Sequence, residues 1–336
     1  MPGTHAHVGK GRPRSRFRFV VHNRNHVRLF AGAAGLLADD GYECAFVTLE
    51  DIHPREGASE ALARYGLSAM TLAEAESQLV RGDIVVVGND WAPKALGMLL
   101  ESRGERGFRA VGYVDGCRMA APIKYRRVDH ILGWGPASRD LFPAPVTVVG
   151  NSQIEKWARQ APRFAHPPFA VVNYKFLYHR RGGRAEWTDS VLGACRDCGL
   201  AARISRHPSD PDDPLGLPDE PLDDLLRDGA LLITRPSTAI YEAMSAGKPV
   251  IFFPRPDEDL GEFADPLGAF DIAAAPEDLP HLIRRALAER QSYSARCRAF
   301  LERHVSIDPA RPATARMADA LAALAEPAGV ADYSAA

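Results

Sequence analysis

The sequence predicts an α/β protein made of two doubly wound halves, each built on a parallel sheet. Three observations support this. Strand-like and helix-like segments alternate along the chain, the alternation starts again at residue 169, and 336 residues suit two domains better than one. Strands that alternate with helices pair in parallel through right-handed crossovers. The valine-rich segment 83–88 illustrates this pattern, because it is apolar enough to be covered on both faces.

In the first half, strands and helices follow one another as a doubly wound sheet requires. Apolar, β-branched runs predict strands at 17–23, 42–49, 83–88, 109–114, 130–134 and 146–149. Apolar residues at helical spacing predict helices at 26–40, 58–65, 72–79 and 92–101. A polar, proline-bearing segment at 159–168 then interrupts the pattern and is interpreted as a linker or hinge.

The second half repeats the alternation and ends in helices. Strands are predicted at 169–174, 202–205, 230–234, 249–253 and near 270–273, and helices at 185–198, 222–228, 238–246, 276–303 and 312–325. The predicted organisation is therefore a basic arm at 1–16, an N-terminal domain at 17–160, a C-terminal domain at 169–310, and a helix and tail at 311–336. Because parallel sheets bind ligands at the carboxyl ends of their strands, a ligand is expected in the crevice between the halves.

Composition excludes several classes of protein. The chain has 41 Lys+Arg against 43 Asp+Glu, and this balance argues against a nucleic-acid partner. No apolar run is long enough to span a membrane, and Arg18 interrupts the first one, so no secretory signal is predicted. Five cysteines, an odd number in a long chain, do not form a disulfide framework. We therefore predict a cytoplasmic protein.

The N-terminal stretch is basic and contains no acidic residue before Asp39. Its cations are Lys10, Arg12, Arg14, Arg16 and Arg18. One interpretation is a solvated tail. The other is peripheral contact with the inner face of a membrane, because each basic residue near an anionic surface contributes about 1 kcal/mol.

Two strand ends in the second half predict an anion site. Arg206 and His207 follow the strand at 202–205, and Arg235, Ser237 and Thr238 follow the strand at 230–234. A helix that starts at Ser237 would offer free backbone N–H groups and a positive dipole end, and no capping-box acid closes it. Arg235 would add positive charge and His207 a ring donor to a phosphate. The alternative is ordinary capping of the helix by Ser237 or Thr238.

These residues carry a resemblance to a known group of enzymes. His207-Pro208 and the run PSTAIYEAMSAGKPVIFFPRP at 236–256 resemble the nucleotide-binding domain of GT-B glycosyltransferases, over about residues 169–290. More narrowly, they resemble the group of bacterial sialyltransferases, capsule Kdo transferases and teichoic-acid glycerophosphotransferases. The resemblance implies two Rossmann-like domains facing across a cleft. It also implies that His207, Ser237 and Thr238 hold the phosphate of a cytidine nucleotide, with Glu242 near a ribose hydroxyl.

The first half matches that group mainly in architecture, apart from one segment. Val114-Asp115-Gly116-Cys117-Arg118 is similar to the Glu-Asp-Gly-x-x-Arg segment of capsule Kdo transferases, although Val114 replaces the Glu and Arg118 falls one position early. A carboxylate at the carboxyl end of a strand can deprotonate an acceptor hydroxyl. Asp115 is therefore the first candidate for the base, and an Asp-Gly turn is the alternative interpretation.

Three other residues are candidates with ordinary alternatives. His22 follows the first strand, where several other GT-B families have a histidine base, and Asp90 follows the strand at 83–88. Loop capping is the alternative for both. Lys175 begins a basic, glycine-containing loop that would close over the donor phosphates or is only a solvated turn. Residues 125–127 are further candidates for contact with an anionic acceptor.

Taken together, the residues and the resemblance predict a metal-independent glycosyltransferase with no cofactor. It would move a sugar from a nucleotide-activated donor, CMP-linked by analogy, to a hydroxyl acceptor on a glycan or lipid-linked carrier in polysaccharide synthesis. One alternative is a phosphotransferase that uses a CDP-alditol. The others are an isomerase of the UDP-sugar 2-epimerase type and a non-catalytic protein that binds a nucleotide sugar.

Overall fold

The computed structural model describes residues 15–50, 57–90, 92–116, 125–174, 183–206 and 220–326. Backbone packing divides the chain into two compact units. One comprises Met1–Tyr113, Tyr125–His130 and Met317–Ala336, and the other comprises Val114–Lys124 and Ile131–Arg316. Several predicted functional residues lie outside the described part of the chain: Lys10, Arg12, Arg14, Cys117, Arg118, Lys175 and His207.

A seven-stranded sheet contains the strands β1 (Arg16–Val21), β2 (Glu43–Thr48), β3 (Ala69–Thr71), β4 (Ile84–Val87), β5 (Arg109–Tyr113), β6 (His130–Gly133) and β7 (Val146–Val148). Their order is β3-β2-β1-β4-β5-β6-β7, and β1 pairs in parallel with both β2 and β4. The winding therefore reverses between β1 and β4. Such a switch point is where open parallel sheets bind ligands.

A five-stranded sheet contains β8 (Phe169–Tyr174), β9 (Ala201–Arg206), β10 (Leu231–Thr234), β11 (Val250–Phe252) and β12 (Asp271–Ile272). Its order is β12-β11-β10-β8-β9, and all four pairings are parallel. The order is the flavodoxin-like one, with its switch point between β8 and β10.

Twelve α-helices lie in the described parts of the chain. They are α1 (Arg24–Asp39), α2 (Ala58–Arg64), α3 (Leu72–Gln78), α4 (Lys94–Glu101), α5 (Arg103–Arg106), α6 (Ser152–Ala158), α7 (Arg184–Asp197), α8 (Leu222–Asp228), α9 (Ala239–Ser245), α10 (Leu279–Glu289), α11 (Tyr293–His304) and α12 (Ala313–Ala325). None of these is long and apolar enough to cross a membrane. The helix predicted at 276–303 is interrupted, because the chain turns where the N–H of Ser292 donates to the carbonyl of Glu289.

Two of the five cations predicted in the basic arm belong to the first strand instead. The Arg16 guanidinium donates to both oxygens of Asp83, at 3.0 and 2.7 Å. Arg18 is 1% exposed and pairs with Glu43 at 2.7 Å. The prediction of a free basic arm is therefore wrong for Arg16 and Arg18, since both are matched by acids within the first unit.

The segment predicted as a linker or hinge is anchored to the second unit. The buried Lys248 ammonium donates to the carbonyl of Arg163 and lies 4.2 Å from the ring centroid of Phe164. The N–H of Ala165 donates to the carbonyl of Asp228 at 2.7 Å. Burial lowers the pKa of Lys248 to about 8. Residues 163–165 are thus held against this unit rather than extending freely.

Candidate functional site

Three polar side chains line up where β8, β9 and β10 end. The strand register pairs Asn173 with Ser205 on one side and with Thr234 on the other, and all three are buried. The Asn173 amide donates to the Thr234 hydroxyl at 3.0 Å, and that hydroxyl donates to the carbonyl of Arg235 at 2.8 Å. This chain of hydrogen bonds fixes the backbone at the switch point, from which the predicted phosphate-binding turn begins.

Arg235 was predicted to offer its positive charge to a bound anion. In the structure, the carboxylate of Glu258 already neutralises that charge. The Arg235 Nε and Nη2 donate to the two oxygens of Glu258 at 3.2 and 2.6 Å, and the side chains are only 2% and 8% exposed. Glu258 Oε2 also accepts the N–H of Arg255 at 3.0 Å. Arg235 therefore holds the loop after β11 to the end of β10, and its charge is already paired within the second unit.

Ser237 and Thr238 lie at the start of α9, as predicted. The Ser237 hydroxyl accepts the N–H of Ala239 at 3.3 Å, a contact across the turn before the helix, whereas the N-cap residue Thr238 makes no side-chain capping bond. Ser237 is 6% exposed, whereas Thr238 is half-buried. Because α9 has only seven residues, about two turns, its dipole is short. Any anion here would depend on hydroxyl and backbone donors more than on a long helix.

Glu242, predicted to approach a ribose, lies on the next turn of α9 and is half-buried. Its Oε2 accepts the indole N–H of Trp157 at 3.4 Å. The N–H of Trp157 therefore orients this carboxylate.

An aromatic cluster supports α9 from the core of the second unit. Tyr241 contacts Trp134, Phe263 and Phe300, with ring centroids 5.8, 5.5 and 5.8 Å away. His304 completes the cluster at 4.4 Å from Phe300. Burial, with a smaller contribution from Arg303, lowers the pKa of His304 to about 4. The helix that carries Ser237 and Thr238 at its start thus rests on a rigid apolar base.

Arg206 is the last residue of β9 and stands opposite Tyr174 in the register. This position places it at the same carboxyl edge as Asn173 and Thr234, as the sequence predicts. His207 and Lys175 fall outside the described residues, so their phosphate contacts stay predictions.

The switch point of the seven-stranded sheet carries a pair of histidines. His22 follows β1, and its Nδ1 lies 3.4 Å from the amide nitrogen of Asn89, which follows β4. The peptide N–H of His22 donates to Nδ1 of His26 at 3.3 Å. A Cβ at Gly88 would lie 2.4 Å from Cε1 of His26, so only glycine fits there. The structure therefore brings His22 to the ligand-binding edge of this sheet.

Asp90 caps a loop, which is the alternative role that the sequence suggested for it. Its two carboxylate oxygens accept the N–H groups of Tyr125 and Arg127, each at 2.7 Å, and the residue is fully buried. The Tyr125 hydroxyl lies 2.7 Å from the carbonyl of Gly88, and Tyr125 is 1% exposed. Tyr125 thus faces the core, contrary to the suggestion that it meets an acceptor. Both side chains brace the loop at 125–127.

Asp115 is half-buried and lies two residues beyond β5. The backbone before it is anchored, because the N–H of Val114 donates to the carbonyl of Leu132 at 3.1 Å and the carbonyl of Val114 accepts the indole N–H of Trp134 at 2.5 Å. Asp115 therefore has a fixed main-chain position at a strand end, as a base would need. Its catalytic role stays a prediction.

Sequence reasoning missed four residues of these two edges. They are His26, Asn89, Asn173 and Glu258. Two of them could have been found from the sequence. Asn89 and Asn173 are polar residues at the ends of apolar strands, which is typical of a ligand-binding position. Among the described residues, no three His, Cys, Asp or Glu side chains form a group that could hold a metal ion.

Comparison by sequence found no match, either to a family model or to a curated protein. Comparison by structure found many. The spinosyn forosaminyltransferase SpnP aligns with a TM-score of 0.58 at 16% identity, over 93% of this chain and 99% of its own. The wall teichoic acid polymerase TagF, in a variant soaked with CDPG, gives 0.57 at 13% identity, over 94% and 88% of the two chains.

A UDP-N-acetylglucosamine 2-epimerase gives a TM-score of 0.56 at 14% identity, over 90% of this chain and 94% of its own. At such low identities the similarity establishes the fold alone. The predicted fold class is confirmed: the chain has two parallel-sheet α/β domains of the GT-B-like type.

Proposed function

We propose that this chain is a GT-B enzyme that transfers a sugar from a nucleotide-activated donor to a hydroxyl acceptor. The observation that carries the proposal is the β8/β10 switch point. There the hydrogen-bonded chain from Asn173 through Thr234 to Arg235 fixes the turn that bears Ser237 and Thr238. The forosaminyltransferase SpnP among the structural neighbours supports transfer of a sugar.

The donor phosphate would be held by Ser237, Thr238 and His207. Thr238 is the more accessible of the two hydroxyls, and His207 follows β9, the strand next to β8. Hydrogen-bond donors that are in place before the reaction stabilise the negative charge that develops on the departing nucleotide. Because Arg235 is paired with Glu258, its part is to position this turn rather than to bind the phosphate.

A CMP-linked donor is the favoured choice, and a metal-independent reaction is part of the proposal. The cytidine preference rests on the resemblance around His207 and on the CDPG-soaked TagF among the structural neighbours. In transfer without a metal, the negative charge on the leaving phosphate would be stabilised by hydrogen bonds from the hydroxyls and the imidazole.

The acceptor would be a hydroxyl on a glycan or lipid-linked carrier, with Asp115 as its base. Asp115 is favoured because its backbone is anchored at a strand end and its side chain is half-buried. Lys10, Arg12 and Arg14 remain the candidates for peripheral contact with an anionic membrane.

The TagF similarity favours one alternative, transfer of a CDP-linked alditol phosphate by the same phosphate-holding residues. The linkage in the product separates the two reactions. A glycosidic bond supports sugar transfer, and a phosphodiester supports alditol phosphate transfer. Epimerisation of a UDP-sugar, suggested by another structural neighbour, would yield an isomer with no acceptor consumed.

The test is a thermal-shift or calorimetric titration with CMP, CDP, UMP, UDP and GDP. Ligand at about 100 times its dissociation constant should stabilise the folded state by about 2.7 kcal/mol. Cytidine nucleotides should bind selectively, and His207→Ala and Thr238→Ala should each weaken the binding of these nucleotides. Ser190→Ala, which removes an exposed hydroxyl on α7, is the matched control and should bind normally. Preference for UDP would discard the cytidine assignment, and binding of none would overturn the donor site.

A further inference from the structure

We infer that Asn89 holds the neutral His22 ring in the tautomer with its proton on Nε2, so that His22 acts as a hydrogen-bond donor and not as the base. Asn89 would then be a positioning residue at the β1/β4 switch point. The inference concerns the strand ends at this switch point. Only the role of His22 in catalysis rests on the proposed function. The ring tautomer itself is a property of the free protein.

The first step is the orientation of the Asn89 amide. The N–H of Ala92 donates to Asn89 Oδ1 at 3.3 Å. A backbone N–H needs an acceptor, so this end of the amide is the oxygen and the opposite end is the NH₂ group. The loop backbone thus decides which end of the amide faces the histidine.

The second step is the protonation of His22. The Asn89 NH₂ group lies 3.4 Å from His22 Nδ1. An amide NH₂ can only donate, so Nδ1 must accept and carries no proton. In a neutral imidazole the single ring proton then lies on Nε2. Nε2 is therefore a donor, and whatever group it meets must supply a lone pair.

The third step is that the surroundings keep the ring in place. The peptide N–H of His22 donates to Nδ1 of His26, and the two rings meet edge-on at 5.2 Å between centroids. His26 is 2% exposed and fills the space that a side chain at Gly88 would take. His22 is 8% exposed. Its backbone is thus held by His26 while its ring is held by Asn89.

The consequence separates the candidate bases. A histidine base needs a lone pair on the nitrogen that takes the proton, with the other nitrogen protonated and facing an acceptor. Asn89 presents a donor where that acceptor would have to be. In this tautomer Nε2 can donate a hydrogen bond but cannot take a proton, so His22 does not serve as the base through that nitrogen and the base would be another group.

The test is nitrogen NMR of the full chain labelled with ¹⁵N-histidine. The His22 ring is assigned by its loss in His22→Gln, and the ring shifts and couplings show which nitrogen is protonated. The wild type should show the proton on Nε2. Asn89→Asp, which puts an acceptor beside Nδ1, should move the proton to Nδ1, and Asn173→Asp in the other sheet should leave His22 unchanged.

A wild-type proton on Nδ1 would overturn the inference, and so would an unchanged tautomer in a folded Asn89→Asp protein. If that variant fails to fold, the wild-type spectrum alone still decides. The spectrum is taken without nucleotide. Failure of every nucleotide to bind would therefore overturn the proposed function and leave the tautomer result standing.

Discussion

The two switch points of this chain lie at equivalent places in their sheets but differ in chemistry. At the β1/β4 edge, the Asn89 side-chain amide bonds the His22 ring, and the His22 peptide N–H donates to the His26 ring. At the β8/β10 edge, a buried ion pair between Arg235 and Glu258 stands beside a chain of hydroxyl and amide bonds. Strand order therefore determines where each ligand edge lies, and the side chains determine which ligand groups it suits. Because the two sets of side chains are separate, a substitution can alter one edge and leave the other unchanged.

The largest effect is expected from Glu258→Gln, which leaves the buried Arg235 guanidinium without its counter-charge. Removal of one partner of a buried ion pair typically costs about 3–5 kcal/mol of unfolding free energy. Denaturant unfolding measures the loss. The exposed Glu302→Gln should be neutral. The double variant Arg235→Met with Glu258→Leu should recover most of the stability, and a stable Glu258→Gln single variant would contradict the burial of this pair.

Asp90→Asn tests the brace of the first sheet. One of its two oxygens becomes an NH₂ group that faces a backbone N–H of Tyr125 or Arg127, so a charged hydrogen bond is lost. Such a bond contributes about 1.5–3 kcal/mol. Amide hydrogen exchange at residues 125 and 127 should speed up, and Asp39→Asn on the exposed end of α1 is the matched control. Unchanged exchange would argue against the brace.

Gly88→Ala tests the close approach of His26. The added Cβ would fall 2.4 Å from the ring, and overpacking of this kind costs about 1–3 kcal/mol. Gly104→Ala meets no atom within 4 Å and should cost nothing. In a His26→Ala background the clash is absent, so Gly88→Ala should cost nothing further there, and an equal cost in both backgrounds would place the strain elsewhere.

Features of the fold and the site could be predicted from the sequence where they depend on neighbouring residues, and could not where they depend on contacts between residues far apart in the chain. The strands and most helices were predicted because their patterns are local, whereas the three-residue β3 and the short helices α5 and α6 were missed. The strand ends correctly located His22, Ser237 and Thr238 at carboxyl edges. The pairing of Arg235 with Glu258 and of His22 with Asn89 depends on which strands become neighbours, and no local pattern shows that.

The smallest effect is a pH slope from His304, beneath the helix of the second edge. Burial lowers its folded pKa to about 4, below the ordinary 6.5, so between these values the unfolded chain binds more protons. Stability should therefore fall as the pH falls from about 6.5 to 4. His304→Phe should flatten this part of the curve, and the exposed His281→Asn should not. An equal slope in His304→Phe would assign the effect to other groups.

The contacts of α12 have a consequence for synthesis on the ribosome. The carbonyl of Ala325 accepts the Ser15 hydroxyl, and the carbonyl of Leu324 accepts the Arg109 guanidinium, so these bonds join residues 310 and 215 positions apart. At about 5–20 residues per second, roughly 15–60 s pass between the synthesis of Ser15 and that of Ala325, its hydrogen-bond partner. During that interval the nascent first unit lacks α12, so a chaperone that binds nascent chains would meet it in that incomplete form.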